Sequence, residues 1–271
     1  MNFPNPSAPA LDALIDRLQL RLNARANAAT REWWTKYLRG TASFRGVKLG
    51  DVRTAVNAWF EEERLGEQLS VGQQKDLAVM LLEESYTEDK LAGVLFLQEI
   101  LLPAGALECH SEMPQFARLF DQGYIRDWNV CDWFCVKVLG PLVKHQGEAC
   151  ARAISEWREA DSVWQRRASV VAFANLASEG DQTFPGFSEM VLDNCSHLLG
   201  SQERFAQTGV GWVLRELSRS DQNRVIGFVE ANLERFSREA LKNATKYLPP
   251  EVAKRLLQAH LPSGTRGHRR R

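Results

Sequence analysis

Two tryptophans of this chain each stand one helical turn away from a charged residue. Trp128 and Asp132 are four residues apart, and Trp212 and Arg215 are three apart, so on helices each pair would share one face. A carboxylate opposes positive charge, and the electron-rich face of an aromatic ring attracts it. Residues of these types at these spacings would suit chemistry at a centre that becomes cationic.

A pair of adjacent arginines lies between the two tryptophan segments. Arg166 and Arg167 stand early in a segment rich in alanine, valine and phenylalanine, so they must reach solvent, a carboxylate or a phosphate. Simpler explanations stay open on these patterns alone. Tryptophans at helical spacing are usually core residues, and paired arginines usually face solvent. Asp132 and Arg167 could also form a purely structural ion pair between helices.

Common cofactor and hydrolase motifs are absent from the sequence. There is no GxxxxGK[ST] phosphate loop, no HExxH metal pair and no GxSxG elbow. The segment Gly209-Val210-Gly211 lacks the third glycine of a dinucleotide fingerprint and falls inside a predicted helix. The sequence therefore predicts no cofactor, no metal and no nucleotide partner. The histidines are scattered along the chain, at His110, His145, His197, His260 and His268.

The elements that must position these residues are predicted to be helices. Apolar residues recur at helical spacing through nearly the whole chain, and no segment alternates with period two. Ser70 and Gln73 form a capping-box pattern, and Asp51, Asp221 and Ser237 stand at N-cap positions. The fold class predicted is all-α.

Pairs of predicted helices recur at intervals of about forty residues, the period of HEAT-like repeats. Examples are residues 70–85 with 87–101, and residues 202–219 with 221–234. In such repeats helical hairpins stack into an alpha-alpha superhelix, a curved solenoid. Its concave face would suit a long ligand such as duplex DNA.

The charge is balanced overall but unevenly distributed. Of the 271 residues, 44% are hydrophobic and 25% are charged, and the formal net charge is zero, which argues against a nucleic-acid partner. Residues 1–125 hold 13 basic and 17 acidic side chains, whereas residues 126–271 hold 21 basic and 17 acidic ones. The positive second part would allow a basic groove.

Several features predict a soluble, cytoplasmic protein of one domain. The five cysteines include no CxxC pair, so we expect small buried side chains in a reducing compartment. The longest apolar run, near residues 92–102, is too short to span a bilayer. We expect a disordered lead-in over residues 1–10, a single repeat domain over 11–260 and a basic disordered tail over 261–271.

Two segments of the chain resemble the catalytic segments of one family, AlkD, the HEAT-like-repeat alkylpurine DNA glycosylases. In DWNVCDWF, Trp128 and Asp132 match that family's catalytic tryptophan and aspartate at the same spacing. WQRRASVVAF resembles the helix of the family's catalytic arginine, and its distance from Asp132 favours Arg167 over Arg166.

Three further segments extend the resemblance over about residues 30–250. YLRGTASFRGVKLGDVR, residues 37–53, is similar to the family's N-terminal Y…F-x-G-[IV]-[KQ] segment. FAQTGVGWVLRELSR, residues 205–219, carries the second tryptophan, Trp212, together with Arg215. YLP, residues 247–249, ends the matching region. No single motif is decisive, but the ordered set is fairly specific.

The resemblance implies a DNA repair activity and its partner. Proteins of the AlkD family excise cationic N3- and N7-alkylated purines, such as 3-methyladenine and 7-methylguanine, from double-stranded DNA in base excision repair. The modified base need not enter a protein pocket, so bulky adducts would be accepted without base flipping. The resemblance also implies a monomer associated with DNA inside the cell.

The resemblance assigns the catalytic roles to Trp128, Asp132, Arg167 and Trp212. Asp132 would stabilise the oxocarbenium-like sugar and present a water, while the tryptophans would pack against the deoxyribose. Arg167 would grip a phosphate and hold Asp132 ionised. A cationic base leaves as a neutral molecule, so no general acid is needed. The expected DNA contacts are Tyr37, Lys48, Arg166, Arg215 and Arg219.

Two other functions stay compatible with the sequence. One is a non-catalytic HEAT-like-repeat protein that binds distorted or branched DNA, and the other is a protein-binding helical scaffold, which the neutral net charge favours. Asp127 is a departure from the family pattern, because it would place a negative charge beside Trp128 at the proposed DNA face. Residues 179–187 are a second departure and resemble an insertion.

Overall fold

The computed structural model of the protein describes residues 10–260. The expected lead-in over residues 1–10, apart from Ala10, and the expected tail over residues 261–271 lie outside the described residues. The chain divides into two compact units, the first ending at Glu108 and the second beginning at Cys109. Each unit is described by itself, and a single domain over residues 11–260 stays a prediction.

The described part of the first unit, residues 10–108, holds six α-helices. Helices α5 and α6 pack against each other as a consecutive pair, α6 also packs against α3, and α3 packs against α1. Helix α6 continues into a π-helical turn, Leu97–Leu101. The helices are α1 (Leu11–Asn23), α2 (Ala28–Tyr37), α3 (Leu49–Glu62), α4 (Leu65–Gln68), α5 (Val71–Glu83) and α6 (Thr87–Phe96).

The second unit, as far as residue 260, holds ten further α-helices and several short 3-10 and π-helical turns. Its core joins α13 to α11 and to α15, and these contacts are more extensive than those of α13 with α14, its successor in the chain. The helices are α7 (Cys109–Asp121), α8 (Trp128–Phe134), α9 (Gly140–Gln146), α10 (Glu148–Ser155), α11 (Val163–Val171), α12 (Phe187–Leu198), α13 (Arg204–Leu217), α14 (Gln222–Ala231), α15 (Arg238–Ala244) and α16 (Pro250–Ala259).

The all-α class is confirmed. In the described part of the chain, β structure is limited to one isolated parallel bridge between Ser43 and Tyr86. Residues 39–50 and 180–186 are loop with short turns, apart from the first residues of α3. Between residues 10 and 260, no helix has the length and apolar character needed to cross a membrane.

The capping predictions are confirmed at three of four helix starts. Ser70 accepts from the Gln73 backbone N–H while the Gln73 side chain accepts from the Ser70 N–H, which completes the capping box of α5. Asp221 and Ser237 cap α14 and α15. The prediction for Asp51 is wrong, because α3 begins two residues earlier. Asp51 lies in its first turn, where a carboxylate still favours the helix dipole.

The cysteines differ in part from the expectation. Cys131, Cys135 and Cys195 are free and fully buried, as small apolar side chains would be. Cys109 and Cys150 instead form a disulfide, with their Cα atoms 5.7 Å apart. This bond ties the first residue of α7 to α10. The expectation of five reduced cysteines is therefore wrong for this pair, because no sequence motif places the two residues together.

A buried carboxylate organises the loop between α2 and α3. Both oxygens of Glu88 accept from backbone N–H groups, those of Arg45 at 2.9 Å, Gly46 at 2.8 Å and Val47 at 3.0 Å. Gly46 has φ +95°, and a Cβ atom there would lie 2.2 Å from the carbonyl oxygen of Asn27, at the start of α2. The glycine of the F-x-G-V pattern in this segment is thus explained by its positive φ and by the close approach of the Asn27 backbone.

Replacing Gly46 with alanine is expected to destabilise the protein by about 2–4 kcal/mol, because a positive φ and a backbone clash coincide. Urea denaturation measures the loss. Gly40→Ala is the matched control, since Gly40 also has a positive φ, +73°, but its added Cβ would meet nothing within 4 Å. The control should lose about 1 kcal/mol. Equal losses in the two variants would contradict the role of the close approach.

Candidate active site

Helix α8 presents Trp128 and Asp132 from one face, and Asp127 fixes where that helix begins. The Asp127 side chain accepts from the Val130 N–H at 3.0 Å and is 4% exposed. An N-cap carboxylate satisfies a backbone donor and favours the helix dipole. The negative charge expected at the DNA face is therefore turned into the helix terminus, and Trp128 follows it as the first residue of α8.

Asp132 and Arg167 form a two-point ion pair between α8 and α11. Arg167 Nε donates to Asp132 Oδ1 at 2.7 Å, and Nη2 donates to Oδ2 at 2.9 Å. A guanidinium that grips both oxygens fixes the plane of the carboxylate as well as its position. The chain brings together these two residues, which are 35 positions apart in the sequence.

The remaining contacts of Arg167 tie the pair to α13. Arg167 Nη1 donates to the backbone oxygen of Phe205 at 2.7 Å and to Thr208 Oγ1 at 3.1 Å. Gly209 packs against Arg167, since a Cβ atom there would lie in ordinary contact with Nη1, at 3.4 Å. Arg167 is only 5% exposed. Its donors are thus largely used inside the protein, which favours holding Asp132 over gripping a phosphate.

Burial and pairing act in opposite directions on the charge of Arg167. Burial lowers the pKa of Arg167, but hydrogen bonding and the charge of Asp132 outweigh it, so the pKa lies above its ordinary value. The neighbouring thiol of Cys131 is fully buried, and burial raises its pKa well above the ordinary value. Cys131 therefore stays neutral, while Arg167 stays a cation opposite the carboxylate.

Asp132 is the member of the pair that solvent can reach. Its side chain is 15% exposed, whereas that of Arg167 is 6% exposed. A carboxylate has about four lone-pair positions, and the two bonds from Arg167 leave the others for a water or a sugar. Trp128 and Trp212 are both half-buried. The arrangement is an accessible carboxylate held rigidly from behind by a buried cation.

The adjacent Arg166 points into a different environment. It donates to the backbone oxygens of Ala160 at 2.6 Å and Asp161 at 2.7 Å, and it forms an ion pair with Glu203. Its side chain is 19% exposed. Of the two arginines that sequence reasoning left exchangeable, Arg167 is the one beside Asp132.

Arg215, on α13, and Arg219, just after the C-terminal end of α13, both pair with the carboxylate of Glu216. Arg215 Nη2 lies 2.6 Å from Glu216 Oε1, and Arg219 Nε lies 3.0 Å from Glu216 Oε2. Both guanidinium groups also stand over the ring of Tyr247, at 5.5 Å and 4.4 Å from its centroid. A hydrogen bond with Tyr247 raises the pKa of Arg219. Arg219 is the more exposed of the two, at 53% of its side chain.

Tyr37 and Lys48 belong to the first unit. Tyr37 is the last residue of α2 and is 52% exposed, with its ring stacked on that of Trp33 at 5.0 Å. Lys48 is exposed and immediately precedes α3. Both side chains are accessible to a ligand.

Sequence reasoning missed the residues that hold the arginines. Thr208 and the Phe205 carbonyl fix Arg167, and Glu216 pairs with Arg215 and Arg219. Thr208 precedes Trp212 by one helical turn, and this spacing was a usable signal. The Phe205 carbonyl carries none, because a backbone acceptor leaves no mark on residue type. Glu216 stands three residues before Arg219, a spacing that favours an ion pair on a helix. Within residues 10–260, no three His, Cys, Asp or Glu side chains are grouped so as to hold a metal ion.

The family of the chain follows from one comparison with known proteins. The sequence profile of the DNA alkylation repair enzyme family matches residues 18–248. A structure described as a predicted DNA alkylation repair enzyme from Enterococcus faecalis superposes with a TM-score of 0.68 at 15% identity, covering 83% of this chain and 98% of that one. At this identity the likeness shows a shared fold.

A second structural match is weaker. A designed armadillo repeat protein in complex with a (KR)4 peptide aligns with a TM-score of 0.39 at 18% identity, covering 92% of this chain and 97% of that one. A score of this size does not establish a shared fold. No match was found among the curated proteins.

Proposed function

Since the chain belongs to the DNA alkylation repair enzyme family, we propose that it is a DNA glycosylase that excises cationic N3- and N7-alkylated purines from duplex DNA. Its role in the repair of alkylation damage follows from the family. The finer proposal is that water cleaves the N-glycosyl bond with Asp132 as the catalytic residue. We further propose that it acts as a monomer on DNA inside the cell, without a cofactor.

One observation carries the proposal: Asp132 is at once accessible and fixed. Its side chain is 15% exposed, and both carboxylate oxygens accept from Arg167, at 2.7 Å and 2.9 Å. A carboxylate fixed before the reaction stabilises developing positive charge on the sugar without having to reorganise. Its unused lone pairs accept from a water and direct that water to the anomeric carbon. A purely structural ion pair would not need an accessible oxygen.

The cationic substrate removes the need for a proton donor. An N3- or N7-alkylated purine already carries the positive charge that protonation would otherwise supply, so it leaves as a neutral base. The groups in the proposed catalytic set agree with this, because a carboxylate, a guanidinium and two indoles include no group that donates a proton readily near neutral pH. The buried Cys131, with its raised pKa, is equally unsuited to the task.

Trp128 and Trp212 are proposed to offer aromatic ring faces to the sugar rather than to transfer protons. Both are half-buried, and Trp128 stands one turn before Asp132 on α8. A ring against the deoxyribose attracts the charge that grows there and excludes bulk water. We propose that the two tryptophans contact the sugar and that the alkylated base stays outside a protein pocket.

The expected substrate range tests the proposal directly. Duplex oligonucleotides that contain 7-methylguanine or 3-methyladenine should lose the base faster in the presence of the protein than spontaneously. Hypoxanthine, a neutral base, should be released poorly from duplex DNA, because it needs a proton to leave. Abasic sites are measured by cleavage in alkali. A guanine with a bulky N7 substituent should be released as well, since no pocket limits its size.

The opposite results would overturn the proposal in separable ways. Release of 7-methylguanine no faster than spontaneous depurination would contradict enzymatic action and favour a DNA-binding or scaffold role. Equal release of hypoxanthine would contradict the absence of a proton donor. Rejection of the bulky adduct alone would contradict only the proposal that the base stays outside a pocket.

A further inference from the structure

Helix α2 exposes an unusual amount of aromatic surface. Trp33 is 57% exposed and Tyr37 is 52% exposed. Their rings are stacked, with centroids 5.0 Å apart and planes at 15°. No residue of this ten-residue helix is buried. A helix of this length is marginal by itself in water, so other contacts must hold it in place.

Contacts with neighbouring rings and a backbone hydrogen bond hold Trp33 and Tyr37 in position. Trp34 meets Trp33 edge to face at 4.8 Å, and on its other side it stacks on Phe44 at 5.7 Å. Phe44 is 5% exposed, so it anchors this row of rings in the interior. The Asn27 N–H donates to the Gly46 oxygen at 2.9 Å and ties the start of α2 to the same loop. The exposed rings are therefore held in place before any ligand arrives.

The surroundings of these rings are basic. Residues 28–48 contain five Lys or Arg side chains and one acidic side chain, Glu32, although residues 1–125 as a whole are acidic. Arg45 is used internally, in a two-point pair with Asp89. The other four cations are exposed, at Arg31, Lys36, Arg39 and Lys48.

Stacked aromatic rings bordered by cations have the chemistry that recognises nucleic acid whose bases are not paired. A base stacks on an aromatic face whatever its identity, and cations contact the phosphates on either side. Fully paired duplex offers such a platform no base, because its faces are already covered by neighbouring pairs. We propose that Trp33 and Tyr37 form a stacking platform for an unpaired DNA base. This proposal rests on the proposed function and adds to it a preference for duplex DNA with interrupted pairing.

The proposal is tested by binding to two duplexes that differ by one unpaired nucleotide. The bulged nucleotide carries 2-aminopurine, whose fluorescence falls when it stacks on an aromatic ring. Trp33→Leu and Trp33→Phe form the matched pair of variants, because both keep an apolar side chain and only phenylalanine keeps an aromatic face. Leu20→Ala, at an apolar residue of α1 that is 68% exposed, controls for loss of exposed apolar surface.

Wild type should bind the bulged duplex about tenfold more tightly than the paired one, a difference of about 1.4 kcal/mol. It should also quench the 2-aminopurine. Trp33→Leu should lose both effects, while Trp33→Phe and Leu20→Ala should keep most of them. Equal binding of the two duplexes by wild type, or equal preference in wild type and Trp33→Leu, would overturn the proposal.

Base release from a fully paired 7-methylguanine duplex separates this proposal from the proposed function. Release by wild type together with no bulge preference would reject only the stacking platform. Bulge preference without release would reject only the glycosylase. Thermal unfolding of each variant shows whether the protein stays folded. If Trp33→Leu is unstable, the bulge preference and the 2-aminopurine quenching of wild type decide the outcome, since the absence of either one overturns the proposal.

Discussion

Asp132→Asn is expected to lower the rate of base release by at least about 100-fold, the usual effect of removing one preorganised electrostatic contact from a transition state. The amide carries no negative charge to oppose the oxocarbenium-like sugar. Its NH2 group would also face a donor of Arg167, at the place where Oδ2 now accepts at 2.9 Å. Single-turnover release of 7-methylguanine measures the loss, and DNA binding should be largely retained.

Asp89→Asn provides a matched control for the structural part of this change. Asp89 is also held at two points by an arginine, with Arg45 Nε at 3.1 Å and Nη2 at 2.6 Å, but it is 0% exposed. Both variants break an arginine pair and should lose stability. Only Asp132→Asn should lose rate when release is expressed per folded molecule.

Two results would contradict the catalytic role of Asp132. One is a release rate in Asp132→Asn within about threefold of wild type. The other is an equal loss of rate in both asparagine variants, which would attribute the effect to reduced stability. The second result would show that Asp132 and Arg167 form a purely structural ion pair between α8 and α11.

Arg167→Ala is expected to lower the free energy of unfolding by about 3 kcal/mol and the rate of base release on the order of 100-fold. The change leaves Asp132 without its cation and removes a donor from the Phe205 carbonyl and Thr208. Urea denaturation measures the first effect and single-turnover release the second. Arg167→Lys keeps a charge but not the two-point grip, so it should recover stability in part and little of the rate.

Arg166→Ala is the neighbouring control for the stability effect. Its ion pair with Glu203 is partly exposed on both sides, at 19% and 47%, so its removal should cost at most about 1 kcal/mol. Equal losses from the two arginines would contradict the special position of Arg167.

Salt dependence distinguishes a positioning residue from a phosphate contact. Each phosphate contact contributes about 0.9 to the slope of log binding constant against log salt concentration. The slope for duplex DNA should stay unchanged in Arg167→Ala, because this residue is buried. It should become shallower by about 0.9 in Arg219→Ala, whose guanidinium is exposed. A shallower slope in Arg167→Ala would show that Arg167 reaches the DNA.

The placement of the proposed site residues was predictable where it depends on side chains at helical spacing. Trp128 and Asp132 share a face of α8 as their four-residue spacing requires. The assignment of Arg167 over Arg166 came from resemblance, and the ion pair with Asp132 now supplies a geometric reason for it. Recurrence of apolar residues at helical spacing was enough for the all-α class, since strands and helices need different periods.

The parts that could not be predicted depend on contacts between distant segments. Nothing in the sequence pairs Cys109 with Cys150, or directs three backbone N–H groups of the α2–α3 loop to Glu88. The departure at Asp127 was visible, but its meaning depended on whether the side chain faces outward or caps α8. Asp51 shows the usual error of a few residues at helix ends.

The internal pairing of the arginines bears on how such an enzyme would search a genome. Arg166, Arg215 and Arg219, the expected DNA contacts of the second unit, each already contact a carboxylate. A phosphate that reaches one of them exchanges one ion pair for another, so contact with undamaged DNA gains little free energy. Residence at each ordinary site is then short, and the protein can sample many of the roughly 10⁶–10⁹ competing sites in a genome before it meets a lesion.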